Sequence, residues 1–196
     1  MFFIVTILLI TLQFSVTYPD GNHENFNYLE DYDVERWHGG NVHFIRDDII
    51  HLMRGQVFEI EGKTFFTFGE AHSQDLYGRR ENVSWWPQEI PNKYEMKEGL
   101  MNLDKYDGQV DYIITHTAPY EVSAELGMDI ADEEEEFVRY LEDIRNGIFF
   151  KDGSSFICIW MKIWMNIHVF MIVLLNWRKC MGNLKLERAH KAQAWK

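Results

Sequence analysis

Cysteine is scarce in this chain, and so is positive charge. Two cysteines, Cys158 and Cys180, occur among 196 residues, both in the last quarter. No disulfide framework therefore supports the body of the protein, which reads as cytoplasmic. Against 31 Asp and Glu stand 19 Lys and Arg, a formal net charge of -12. That balance argues against a nucleic-acid-binding surface, unless a bound cation reverses the sign locally, and it favours solubility and a metal-dependent site. Internal repeats and low-complexity linkers are absent as well, which leaves one globular domain as the default. What the chain does have is apolar material, 46% hydrophobic and 15% aromatic residues, enough for a core and too much for a disordered segment.

Clean long hydrophobic runs are missing even at the ends, where they would matter most. Met1 to Val16 is apolar and could serve as a secretory h-region, yet it has neither a basic n-region nor a small-x-small cleavage site. Phe156 to Trp177 approaches bilayer-spanning length, but Lys162, Asn166 and His168 interrupt it. It makes a poor transmembrane helix and, lacking helical or alternating polarity, an awkward core element.

Between the ends, short β-rich runs alternate with turns and helical stretches, the pattern of an α/β protein. Val16 to Tyr18 ends a strand, Ile49 to Arg54 forms another, and Gln56 to Ile60 pairs with Thr64 to Phe68 across Glu61-Gly62-Lys63 as a hairpin. Tyr94 to Leu103 suits a short helix, and Val110 to Thr115 a buried strand that delivers His116 at its carboxyl end, where α/β sheets gather ligands. From Asp132, the spacing of Phe137, Leu141 and Ile144 gives one apolar helical face, with Asp132 as candidate N-cap, Glu135 three residues on, and Gly147 as terminator. The acidic run Asp132 to Glu136 fits the first turn of that helix better than a calcium site, and Glu135 can pair with Arg139.

The densest chemistry lies in Asp20-Gly21-Asn22-His23-Glu24-Asn25-Phe26. Asn22 offers a neutral oxygen to a hard or borderline cation, and His23 can give a proton to a departing alkoxide. Gly21 permits a tight turn, and Glu24 to Leu29 could open a helix whose N–H groups face an anion. A polar turn with a surface histidine is the competing reading of this motif alone. His38, His43, His51 and His72 read as structural or surface groups, and Trp85 and Trp86 before Pro87 read as core caps rather than substrate contacts.

Taken in order, Gly21-Asn22-His23-Glu24, Trp37 with Gly39-Gly40, His51-Leu52-Met53-Arg54-Gly55-Gln56, Trp85-Trp86-Pro87 and Thr115-His116-Thr117-Ala118-Pro119 resemble the calcineurin-like metallophosphoesterases, in particular a bacterial branch. The likeness covers about residues 14–151 and leaves 1–13 as an unmatched apolar segment and 152–196 as an aberrant tail. It implies a fold of two packed mixed β-sheets flanked by helices, incomplete in this chain. It also implies two divalent metal ions, of manganese, iron or zinc, acting on a phosphate-ester substrate. Asn22 and His116 would each ligate the second metal, and His23 would contact the phosphate and assist the leaving group.

The family's upstream Asp-x-His and Gly-Asp motifs find no place in the residues before Gly21, and the closing Gly-His-x-His is absent after Phe149-Phe150-Lys151. Read one base out of register, the codons of Lys151 to Ile159 permit Arg-Trp-Phe-Phe-x-His-Leu-His-Met, given TCN serine codons, although x cannot be Gly. Trp160-Met161 and Trp164-Met165 then force Asp, while Met161-Lys162 and Met165-Asn166 force Glu. A truncated, frameshifted phosphoesterase, impaired or inactive, is the resulting expectation. Two alternatives remain open: a non-enzymatic secreted or membrane-anchored protein that uses its apolar ends, and a pseudoenzyme that binds phosphorylated ligands without hydrolysis.

Overall fold

A computed structural model of the chain describes residues 16–69, 72–73, 77–163 and 167–176, with backbone alone from 151 onward. The apolar segment 1–13 and the end of the tail lie outside these residues. The protein is mixed α/β, with two mixed sheets and four α-helices among the described residues.

The first sheet contains β1 (Val16–Pro19), β2 (Val34–Trp37), β3 (Gly40–Arg46) and β4 (Ile49–Leu52), in the order β1-β4-β3-β2. β1 runs parallel to β4, while β3 is antiparallel to both β4 and β2. The β2–β3 hairpin was not evident in the sequence, since Val34-Glu35-Arg36-Trp37 is half charged and three of its four residues are exposed. Its two-residue turn, His38-Gly39, takes positive φ at both positions, the geometry that matches strand twist.

The second sheet contains β5 (Gln56–Ile60), β6 (Lys63–Phe68), β7 (Gln109–Thr115), β8 (Phe149–Ile163) and β9 (Ile167–Asn176), hydrogen-bonded in that order. β6, β7 and β8 are parallel neighbours, flanked by antiparallel β5 and β9. The expected hairpin is present with Lys63 drawn into the strand, because Glu61 and Gly62 alone make the turn, again at positive φ. The Phe156–Trp177 run enters β8 and β9. Among the described residues no helix is long and apolar enough to cross a membrane.

Alternation along β5 and β6 explains the layering. Val57, Phe66 and Phe68 face the helices α2 (Lys93–Asp104) and α4 (Asp132–Gly147), where Met96, Leu103, Phe137, Leu141 and Ile144 complete the largest core. Phe58 points the other way and closes a second core with Val42, Ile50 and Leu52 of the first sheet. On that sheet's outer side, the single-turn helix α1 (Phe26–Leu29) packs Phe26 and Leu29 with Trp86 and Ile45. Trp86 is thus a core cap.

Two helix ends depart from expectation. α4 begins with Asp132 as its first residue, and Ala131 holds the cap position with no side-chain hydrogen bond. The acidic run lies in the first turn, as the helix dipole favours, and Glu135 pairs with Arg139 at 2.7 Å. α1 is one turn long, and Asn25 Oδ1 accepts from the Tyr28 N–H, so it presents no open anion-binding end. α2 carries a full capping box: Asn92 Oδ1 accepts from the N–H groups of Tyr94 and Glu95, and Glu95 Oε2 accepts from Asn92 N–H at 2.7 Å.

Candidate functional site

β1 and β7 deliver their carboxyl ends to the same place. β1 ends at Pro19 and hands the chain to Asp20-Gly21-Asn22-His23, while β7 ends at Thr115 and presents His116. A Cβ built on Gly21 would lie 2.6 Å from His116 Cε1 and 2.7 Å from Nδ1. No side chain fits there, so glycine is what lets the imidazole lie against the turn. The structure thereby brings His116 against the turn that carries Asn22, although 94 residues of sequence separate them.

Asn22 Oδ1 is buried without a hydrogen-bond partner. An orphaned buried acceptor of this kind marks a place for a cation or a donor. The Asn22 backbone carbonyl is held separately, accepting from Ser73 Oγ at 3.1 Å. His23 is exposed, and Arg79 Nη2 lies 3.4 Å from its Nδ1. Guanidinium nitrogens only donate, so this contact takes the Nδ1 lone pair and assigns the ring proton to Nε2. A second Arg79 nitrogen, Nη1, donates to Ser73 Oγ at 2.9 Å, tying the two arms of the site together.

Beneath the turn lies a network the sequence did not announce. Asp20 is 1% exposed. Its Oδ2 accepts from Arg54 Nε at 2.8 Å and Nη2 at 2.6 Å, and its Oδ1 accepts from His51 Nε2 at 3.1 Å. Burial by itself would raise the Asp20 pKa, but the Arg54 charge and the His51 hydrogen bond outweigh it and hold the carboxyl well below its usual range. Gly69 packs directly on this carboxyl group, and any Cβ there would overlap it. His51, read from sequence as structural or surface, sits opposite His43 in the β3–β4 register, with the two Nδ1 atoms 3.2 Å apart. One signal was available: alternating strands folded about Asp47 place positions 43 and 51 face to face.

The electrostatics favour a neutral ligand nitrogen at position 116. Burial is the main influence and holds the His116 pKa down to about 4; Asp20 pulls it up and His23 pushes it further down. Burial and the Asp20 charge raise the Glu24 carboxyl pKa. Asn22 Oδ1 and the His116 imidazole thus fit part of one metal shell, an oxygen and a neutral nitrogen. Asp20 is fully engaged by Arg54 and His51. Among the described residues, no group of three or more His, Cys, Asp or Glu is arranged to hold a metal ion, so these residues do not furnish a two-ion centre.

Fold and site together define an α/β protein with a polar site at the carboxyl ends of strands from both sheets. No model of a known protein family matches the chain, and neither a curated protein nor a solved structure does.

Proposed function

We propose that this chain carries part of a metal-dependent phosphoesterase centre of the calcineurin-like type, built on that family's two packed mixed sheets. The observation that carries the reading is the buried, unpartnered Asn22 Oδ1 on a glycine turn packed against a neutral His116. A divalent manganese, iron or zinc ion, when bound, would supply Lewis-acid stabilisation of phosphate oxygens. Asn22 and His116 would hold that ion. His23 would direct its Nε2–H toward the leaving oxygen of the ester, while Arg79 fixes the ring through Nδ1. Two protein donors are fewer than the three or more a catalytic ion ordinarily needs, so turnover by this chain is expected to be strongly impaired.

The test pairs melting with hydrolysis. Manganese or zinc should raise the unfolding midpoint of the full chain, and Asn22→Ala or His116→Ala should remove the rise, with aryl phosphate hydrolysis near background. Metal-dependent hydrolysis lost in His116→Ala would overturn the impairment. A midpoint indifferent to metal would overturn the site.

A further inference from the structure

A cavity of about 350 Å³ opens on the outer side of the first sheet, between α1 and the segment Pro87–Asn92, within the size range of small-molecule sites. Asp20 and Arg54 form part of its wall, yet neither offers anything to a ligand. Arg54 donates to Asp20, to the Gln88 carbonyl at 2.7 Å and to Glu95 Oε1 at 3.4 Å, and its guanidinium lies 5.1 Å from the Phe26 ring centre. What the cavity presents is acceptors. Gln88 Oε1 is buried with no hydrogen-bond partner. Glu30 and Glu95 add carboxyl groups, so three acidic side chains on the wall face a single guanidinium.

The histidine pair adds another acceptor. An ionised Asp20 only accepts, so His51 Nε2 must carry a proton to meet it. With both rings neutral, His51 Nδ1 is then a lone pair, His43 Nδ1–H donates to it, and His43 Nε2 is left as the acceptor nitrogen of a ring on the cavity wall. Phe26, Leu29, Pro87 and Ile90 supply the apolar remainder.

We propose that this cavity is a binding site for a small organic cation, a primary ammonium or guanidinium on a compact apolar body, with Gln88 Oε1 and the Glu30 and Glu95 carboxylates receiving its N–H groups. The site is separate from Asn22, His23 and His116 and stands without the phosphoesterase reading. Its wall shares Asp20 with the network beneath that turn, so occupancy and the catalytic turn are in direct mechanical contact.

Titration calorimetry of the full chain at about pH 8 with benzylammonium, benzyl alcohol and phenylacetate tests it. Saturable binding of benzylammonium, at least about tenfold tighter than either analogue, is expected. Gln88→Leu, which removes an acceptor that nothing in the fold uses, should weaken benzylammonium about tenfold or more. Glu30→Gln, at an exposed position, should weaken it up to about fivefold and supplies a second readout if the leucine variant misfolds. No saturable binding, equal binding of the neutral or anionic analogue, or unchanged affinity in both variants would overturn the proposal.

Discussion

Asp20 has no spare capacity: one carboxylate oxygen serves Arg54, the other His51, and Gly69 seals the space behind it. Removing its charge leaves the buried Arg54 guanidinium uncompensated, which costs about 3–5 kcal/mol. Asp20→Asn should therefore lower the unfolding free energy by that order in urea melts, and a loss below about 1 kcal/mol would show that the pair is not buried in solution. Gly21→Ala should cost about 1–3 kcal/mol, since His116 must shift to admit the methyl group. At this scale the sequence disclosed Asn22, His23 and His116, because their residue types sit in a compact motif or follow a strand. It did not disclose Asp20, His51 and Arg54 as a unit. Their contacts span 31 and 34 residues, and such pairings depend on strand register rather than on any local pattern.

Elements were legible where period and turn chemistry agreed. The β5–β6 hairpin, β7, α2 and α4 all follow apolar spacing that the structure uses for its largest core. Boundaries moved by a residue or two where caps decided them, as at Ala131. That position has extended dihedrals suited to a capping side chain and lacks one. Ala131→Ser should stabilise the protein by about 0.5–1 kcal/mol by supplying an acceptor to the first turn of α4, seen as a higher urea midpoint at unchanged slope. β2 and β3 were not legible, because an exposed strand at a sheet edge buries too little to show alternation.

For the whole molecule, acid is the condition that distinguishes folded from unfolded chains. His116 is held down to about 4 from an ordinary 6.5, mainly by burial, and His43 is lowered as well, by burial and then by the His51 charge. Across that window the unfolded imidazoles take protons that the folded ones refuse, so stability falls as pH drops from 6.5 toward 4. The His116 contribution is at most on the order of 3 kcal/mol. Below it, the depressed Asp20 carboxyl adds further loss once the unfolded aspartate protonates. Urea midpoints measured at several pH values should decline across this range, less steeply in His116→Ala, and a flat profile would contradict a buried neutral ring. Glu89 has a different consequence. It is 1% exposed, and its carboxyl group accepts from the backbone N–H groups of Ser73 at 3.0 Å and Trp86 at 3.3 Å. Those two amide protons share one anchor, so in deuterium oxide they belong to a single opening event: the loop bearing Ser73 and the Trp86 elbow would exchange at a common rate, as one clasp.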